Sequence, residues 1–117
     1  MTKQTDQPMP EVSPAQAEEL LLSDALLLDV REPDEWEAGH VPDAHHLPLG
    51  QLGERYTELP PDRSIVAACR SGGRSGQATA ALRGAGYDVV NLGGGMQAWQ
   101  QAGLPVVTND GQAGTVA

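Results

Sequence analysis

The chain contains one cysteine, Cys69, which heads the segment Cys-Arg-Ser-Gly-Gly-Arg at residues 69–74. Because glycine readily adopts positive φ angles, consecutive backbone N–H groups of this loop can turn inward as an anion-binding nest, reinforced by the positive end of a following helix. A thiolate at the centre of that nest, near Arg70 and Arg74, is expected to have a lowered pKa and to be nucleophilic at neutral pH. The residues predicted to form the anion-binding loop are Arg70, Ser71, Gly72, Gly73, Arg74 and Ser75.

Two plainer interpretations of these residues stay open at the level of sequence. Free cysteines are often small buried apolar residues, so Cys69 could simply end a strand. One of the two loop arginines, Arg70 or Arg74, could be a solvated surface residue. Since the chain has no second cysteine, an intramolecular disulfide and a multi-thiolate metal cluster are excluded, and Cys69 acts alone or not at all.

The composition describes an acidic chain, in which 7 basic and 16 acidic residues give a formal net charge of -9. This balance argues against a nucleic-acid partner and against binding to an anionic membrane. No run approaches the roughly 18 apolar residues of a membrane span, and the N-terminus lacks an apolar signal core, so we expect a cytoplasmic protein. A length of 117 residues allows one compact domain with its own core.

The elements that must position the loop alternate between strand and helix. Ser13 and Pro14 predict a helix start, as N-cap and first-turn residue, and apolar runs without alternation predict strands that are buried on both faces. The predicted strands span residues 25–30, 44–47, 64–68 and 88–92. The predicted helices span residues 14–22, 33–38, 50–59, 75–83 and 96–101. This alternation predicts a parallel α/β sheet with helices on both faces, and it places Cys69 at the carboxyl end of a strand, where ligands bind.

The expected domain covers residues 9–105. Residues 1–8 are polar and unpatterned, and we expect them to be a disordered lead-in. Residues 106–117 form a polar, glycine-containing tail, and the sequence leaves open whether this tail packs on the domain.

Two groups of side chains are expected to anchor the predicted elements. Leu52, Tyr56 and Leu59 fall on one face of the third predicted helix. Trp36 and Trp99 are expected to be core anchors, since the chain contains no phenylalanine.

Four segments of the chain resemble the successive signatures of single-domain rhodaneses, the thiosulfate sulfurtransferase-like family. They are Asp-Val-Arg-Glu-Pro-Asp-Glu-Trp at 29–36, Gly-His-Val-Pro-Asp-Ala at 39–44, Cys-Arg-Ser-Gly-Gly-Arg-Ser at 69–75 and Gly-Gly-Gly-Met-Gln-Ala-Trp at 93–99. The segments follow the order of the family. The resemblance implies the rhodanese-like fold, a five-stranded mostly parallel sheet flanked by helices on both faces, with residues 9–12 as the first strand.

The resemblance also implies a mechanism. Cys69 would attack the outer sulfur of a donor such as thiosulfate, expel sulfite and hold the sulfur as a persulfide until cyanide or a thiol removes it. Asp29 and Arg31 match the Asp-x-Arg motif of the family, whose side chains support the active-site loop; the alternative is an exposed ion pair at the end of a strand. The resemblance also allows a protein as sulfur donor or acceptor, and no cofactor is expected.

One position departs from the pattern of the two-domain thiosulfate enzymes. Those enzymes have a basic residue four positions after the arginine of Asp-x-Arg, where this chain has Glu35 within an acidic run. The departure leaves open that thiosulfate is only a surrogate for another donor. A solvated first helical turn, where carboxylates complement the helix dipole, explains the acidic run itself.

Three other functions fit parts of the sequence. Cysteine-dependent phosphatases and arsenate reductases also place a cysteine before an anion-binding loop that ends in arginine, but their loops have one residue more than the four that follow Cys69 here. Rhodanese modules also act as persulfide relays or protein-binding domains, and the presence of Cys69 argues against a purely structural module. His40, His45 and His46 suggest a metal, but adjacent histidines on a strand point to opposite faces and no further ligands complete a set, so no metal is expected.

Overall fold

A computed structural model of the protein describes residues 10–117. Its strands are β1 (Glu11–Val12), β2 (Leu26–Asp29), β3 (His45–His46), β4 (Ile65–Ala68) and β5 (Val89–Leu92). They form one five-stranded sheet in the order β1-β5-β4-β2-β3, and every pairing between these strands is parallel. The parallel α/β fold predicted from the alternation of elements is confirmed.

Five α-helices connect and cover the strands. They are α1 (Pro14–Leu22), α2 (Pro33–Ala38), α3 (Leu52–Arg55), α4 (Gly73–Gly84) and α5 (Gly95–Gln101). Two 3₁₀ turns, Leu49–Gln51 and Tyr56–Glu58, flank α3. The start of α1 is a capping box, in which Ser13 Oγ accepts from the Gln16 N–H and Gln16 Oε1 accepts from the Ser13 N–H. The N-cap role predicted for Ser13 is confirmed.

The prediction of one continuous helix over residues 50–59 is wrong, because this segment folds as the short helix α3 between two 3₁₀ turns. Gly50 and Gly53 weaken a regular helix here, since a glycine in a helix interior costs about 1 kcal/mol relative to alanine. The interruption lets Leu52 and Leu59 reach the core while Tyr56 stays exposed. The three side chains therefore do not share one buried face.

Helix α4 begins at Gly73, earlier than the predicted start at residue 75. Its N-cap, Gly72, has a φ of +111°, a conformation that residues with a β-carbon rarely adopt. The loop between β4 and α4 is correspondingly short, and Arg74 lies in the first turn of the helix.

Helices cover both faces of the sheet, as predicted. Neighbouring residues of a strand point to opposite faces, so Leu27 and Leu28 of β2 belong to separate buried clusters. Leu28 shares its cluster with Leu82 of α4, whereas Leu27 shares the other cluster with Trp99 of α5. Cys69 lies in the cluster on the α4 face, at the end of β4.

The chain after α5 packs on the domain, which answers the question that the sequence leaves open. Val107 forms an antiparallel bridge with His40 through two backbone hydrogen bonds of 2.8 and 2.9 Å. The Thr115 N–H donates to the Ala38 carbonyl at 2.9 Å. Gly39 permits this approach, because a β-carbon at that position would collide with the Thr115 backbone.

Two expectations fall on residues that the structure does not describe. The lead-in at residues 1–8 and the first residue of the predicted strand, Met9, both lie outside the range 10–117. Within that range, no helix has both the length and the apolar character that crossing a bilayer requires.

Candidate active site

Cys69 directly follows β4, the middle strand of the sheet, and leads into the loop before α4. The residue is enclosed, with 1% of its surface exposed. Its Sγ accepts hydrogen bonds from the Gly72 backbone N–H at 3.1 Å and from the Ser75 hydroxyl at 3.3 Å. The sulfur therefore lies where the glycine loop and the first turn of α4 direct their polar hydrogens.

Burial and hydrogen bonding act in opposite directions on the Cys69 thiol. Burial raises its pKa, whereas hydrogen bonds from the Ser75 hydroxyl and from the backbone N–H groups of Ser75, Gly72 and Ser71 lower it. The hydrogen bonds together outweigh burial, so the pKa lies below the ordinary value of 9.0. Because the thiolate is the nucleophilic form of cysteine, these surroundings favour attack by Cys69.

Asn91 of β5 contacts the loop from the neighbouring strand. Its side chain is buried, and its Nδ2 donates to the Gly72 carbonyl at 3.0 Å. Its Oδ1 lies 2.5 Å from the oxygen of the Ser75 hydroxyl and is a second acceptor for that group. Asn91 is not among the site residues predicted from sequence; the available signal was an asparagine, a residue type that strands disfavour, inside a predicted strand.

Gly95 lies at the start of α5, which packs against the backbone of the active-site loop. The next two backbone N–H groups of α5 donate to the loop: Met96 to the Cys69 carbonyl at 2.7 Å, and Gln97 to the Arg70 carbonyl at 3.0 Å. Gly95 has a φ of +62°, and a β-carbon there would lie 2.5 Å from the Cys69 carbonyl oxygen and 2.6 Å from the Arg70 carbonyl. The start of α5 is therefore a contact surface for the active-site loop.

The two loop arginines contact groups other than the sulfur. Arg74 donates through Nη1 and Nη2 to the two carboxylate oxygens of Glu35, at 2.7 and 2.8 Å. These hydrogen bonds lower the pKa of Glu35 to about 2, against a smaller opposing effect of burial. Arg70 is exposed, and its Nε donates to the Ala117 carbonyl at 2.9 Å. The role of both arginines in anion binding remains a prediction.

Glu35 is not the solvated residue that the sequence analysis expects. Its side chain is 16% exposed, and its Oε1 also accepts from the Glu32 N–H at the start of α2. β2 and β4 are neighbours in the sheet, so the helices that follow them begin side by side at one edge. Glu35 thereby joins the first turn of α2 to Arg74 in the first turn of α4.

Asp29 and Arg31 form an ion pair at the end of β2 with both side chains fully buried. Arg31 donates through Nε and Nη2 to both carboxylate oxygens, over 2.7 to 3.1 Å, and Nη2 also donates to the Gly39 carbonyl at 2.7 Å. The alternative of an exposed ion pair is therefore wrong. These hydrogen bonds join β2 to the end of α2, and direct support of the loop by the pair remains a prediction.

Two of the histidines that suggest a metal have partners inside the domain. His40 Nδ1 donates to the Trp36 carbonyl and His46 Nε2 to the Arg31 carbonyl, both at 2.8 Å. Both imidazole rings stack on the Trp36 indole, with ring centroids 3.6 and 4.7 Å away. Trp36 is therefore a half-buried ring between two histidines and not a core anchor, whereas Trp99 is buried in the core as expected.

Residues 13–102 of the chain match the family model described as a rhodanese-like domain. A sulfurtransferase of Allochromatium vinosum is 48% identical over 89 residues, which cover 75% of this chain and 83% of that protein. The thiosulfate sulfurtransferase GlpE of Pseudomonas syringae is 36% identical over 90 residues, covering 76% of this chain and 85% of that protein. The crystal structure of a rhodanese-related protein from Thermoplasma volcanium matches with a TM-score of 0.80 at 32% identity, covering 84% of this chain and 97% of that one.

The matched region contains the elements that surround the thiol. It runs from the start of α1 to the end of α5, and it includes Cys69, the loop that follows and Asn91. The resemblance of the four sequence segments, the parallel sheet and these likenesses agree over the same residues, and the chain belongs to the family of rhodanese-like domains.

Proposed function

We propose that this protein is a sulfurtransferase that carries sulfane sulfur as a persulfide on Cys69. The observation that carries the proposal is the position of Sγ, which accepts hydrogen bonds from the Gly72 N–H and the Ser75 hydroxyl. The lowered pKa of the thiol and the sulfurtransferase relatives support the same chemistry.

Thiosulfate or a similar compound is the proposed donor. The Cys69 thiolate attacks the outer sulfur, a new S–S bond forms, and the S–S bond of thiosulfate breaks with its electron pair leaving on sulfite. Cyanide or a thiolate then attacks the outer sulfur of the persulfide, and the electron pair of that S–S bond returns to Sγ. The name of the Pseudomonas relative supports thiosulfate as a donor.

The loop supplies the electrostatic part of this cycle. Both the resting thiolate and the persulfide are anions, and the loop that carries the Gly72 donor is held in place by Asn91 and by the start of α5. Donors that are oriented before the reaction need no reorganisation when charge develops, which is the usual source of electrostatic catalysis.

The direct test is the intact mass of the protein after incubation with thiosulfate and removal of the excess. We expect a gain of one sulfur atom that cyanide reverses with release of thiocyanate, and no gain in Cys69→Ser. Wild-type protein that gains no sulfur would contradict the enzyme proposal, and a gain in Cys69→Ser would contradict the assignment of the nucleophile.

A persulfide relay is the second candidate, and the Glu35 contact favours it. Glu35 accepts from both Nη groups of Arg74, so its carboxylate offsets the positive charge that would attract a dianionic donor. A donor protein that presents a persulfide depends less on that charge. Loading of Cys69 by a cysteine desulfurase, with no loading by thiosulfate, would establish the relay and reject the small-molecule donor.

A further inference from the structure

The Ser75 hydroxyl lies near more hydrogen-bond acceptors than it can donate to at one time. Its Oγ lies 2.5 Å from Asn91 Oδ1, 3.3 Å from Cys69 Sγ and 3.4 Å from the Gly72 carbonyl. A serine hydroxyl has a single proton to donate. The sulfur and the asparagine oxygen therefore compete for one hydrogen.

The orientation of the Asn91 amide is fixed by its other hydrogen bond. Nδ2 donates to the Gly72 carbonyl at 3.0 Å, which leaves Oδ1 directed at Ser75 Oγ. The asparagine and serine are both buried, so water does not readily replace a lost partner. The amide cannot turn to relieve the competition without giving up the Gly72 contact.

The protonation state of Cys69 decides where the proton of Ser75 goes. In the thiol state the sulfur is a weak acceptor, and the hydroxyl donates to Asn91 across the shorter distance. In the thiolate state the charged sulfur is the stronger acceptor, and the hydroxyl turns to Sγ. Deprotonation of Cys69 then leaves Asn91 Oδ1 without its donor.

We propose that Asn91 is a positioning residue that restrains the reactivity of Cys69 by competing with it for the Ser75 proton. Among the described residues, the hydrogen bonds to Cys69 Sγ come from Gly72 and Ser75 and not from Asn91, which therefore acts through Ser75. The inference rests on the proposed function only in taking Cys69 as the reactive group. It concerns the thiol before any sulfur is transferred, so its test does not depend on a donor.

The charged groups around the thiol are engaged elsewhere and stay constant when residue 91 changes. From α4, Arg74 is paired with Glu35 of α2, and from β2, Asp29 is paired with Arg31. In the loop itself, Arg70 donates to the carbonyl of Ala117, an exposed residue. A shift in the titration of Cys69 in Asn91→Leu, which adds no charge, therefore does not come from these groups.

The test is a pH titration of the full chain in which the ultraviolet absorbance of the thiolate is followed. Cys69→Ser is titrated in parallel, so that the absorbance change of the tyrosines can be subtracted. Asn91→Leu removes the competing oxygen, and we expect the thiolate fraction below the pKa to rise about threefold to tenfold. Asn91→Asp keeps the shape of the side chain but accepts more strongly and adds a negative charge, so we expect that fraction to fall by a similar factor. Opposite directions distinguish competition from a merely structural role, since a loosened loop would lower the thiolate fraction in both variants.

Ser75→Ala is the second measurement. With the hydroxyl absent, Asn91→Leu should no longer raise the thiolate fraction, and the comparison of single and double variants isolates the contribution through Ser75. If Asn91→Leu fails to give the native circular dichroism spectrum, Asn91→Ala, which also removes the competing oxygen without adding a charge, takes its place. A fall in the thiolate fraction with Asn91→Leu, no change with Asn91→Asp, or an undiminished effect of Asn91→Leu in Ser75→Ala would each overturn the proposal while leaving sulfur transfer itself untouched.

Discussion

Replacing Gly95 by alanine tests the packing of α5 against the active-site loop. The added β-carbon would lie 2.5 Å from the Cys69 carbonyl oxygen and 2.6 Å from both the carbonyl carbon and oxygen of Arg70. These neighbours are backbone atoms, so no flexible side chain can move aside. The substitution must therefore shift α5 away from the loop, which weakens the hydrogen bonds from Met96 and Gln97.

Two costs set the expected magnitude. Alanine at the φ of +62° observed for Gly95 costs about 1–2 kcal/mol relative to glycine. Overpacking against a fixed backbone adds about 1–3 kcal/mol. The sum of about 2–5 kcal/mol is a large part of the stability of an ordinary domain, about 5–15 kcal/mol.

The measurement is urea unfolding followed by circular dichroism, with Gly84→Ala as the matched control. Gly84 ends α4 with no atom within 4 Å of its added β-carbon, so alanine there should leave stability unchanged or raise it by up to about 1 kcal/mol. Sulfur loading of Gly95→Ala should fall together with its stability. If the free energies of unfolding of the two alanine variants differ by less than about 0.5 kcal/mol, α5 and the loop are not packed as closely as these distances indicate.

Three further substitutions, at Glu35, Arg31 and Ser13, test two ion pairs and the N-cap of α1. Glu35→Gln should lower the free energy of unfolding by about 1 kcal/mol at pH 7, whereas Glu37→Gln, on an exposed part of α2, should change it by less than about 0.5 kcal/mol. The pKa of Glu35 is lowered on folding from 4.5 to about 2, so its contribution is present above pH 4.5 and is lost as the pH falls toward 2; a difference between wild type and Glu35→Gln that persists at that pH would contradict the ion pair. Arg31→Met leaves the buried Asp29 carboxylate without its cation, with the backbone N–H of residue 31 as a remaining donor, and should cost about 3–5 kcal/mol in urea unfolding; a loss below about 1 kcal/mol would contradict a contribution of this ion pair to stability. Ser13→Ala removes the capping box of α1 and should cost about 1 kcal/mol, measured as a lower melting temperature; an unchanged melting temperature would mean that the cap is not formed.

The position of Cys69 could be predicted from sequence because its determinants are local. The apolar run before it, the glycines after it and the helix formers beyond act within a few residues of one another, and the structure has the corresponding β4, loop and α4 in that order. The start of α1 followed from Ser13 and Pro14 for the same reason.

Contacts between distant segments could not be predicted in this way. Glu35 and Arg74 are 39 residues apart, and they meet only because β2 and β4 are neighbours in the sheet. The alternation of strand and helix predicts a parallel sheet but leaves the order of its strands open. Glu35 therefore looked like one more solvated carboxylate, and Asn91 looked like an ordinary member of a strand.

The prediction for the segment around α3 is wrong for a different reason. Its apolar spacing fits one helical face, but Gly50 and Gly53 oppose a continuous helix, and a pattern count alone cannot weigh the two effects. Tyr56, placed on the buried face by that count, lies exposed beside Tyr87, with the rings 6.3 Å apart in an edge arrangement.

The pairing of β1 with β5 bears on the synthesis of the protein. Glu11 lies opposite Asn91, and the Asn91 N–H donates to the Pro10 carbonyl at 2.8 Å. The first strand must therefore wait, unpaired, until the last strand has left the ribosome. Because Asn91 also contacts Gly72 and Ser75, a nascent chain that already displays Cys69 still lacks the side chain that orients the loop around its sulfur. The final surroundings of the thiol are thus acquired only in the slow, non-local step that pairs β5 with β1 and β4.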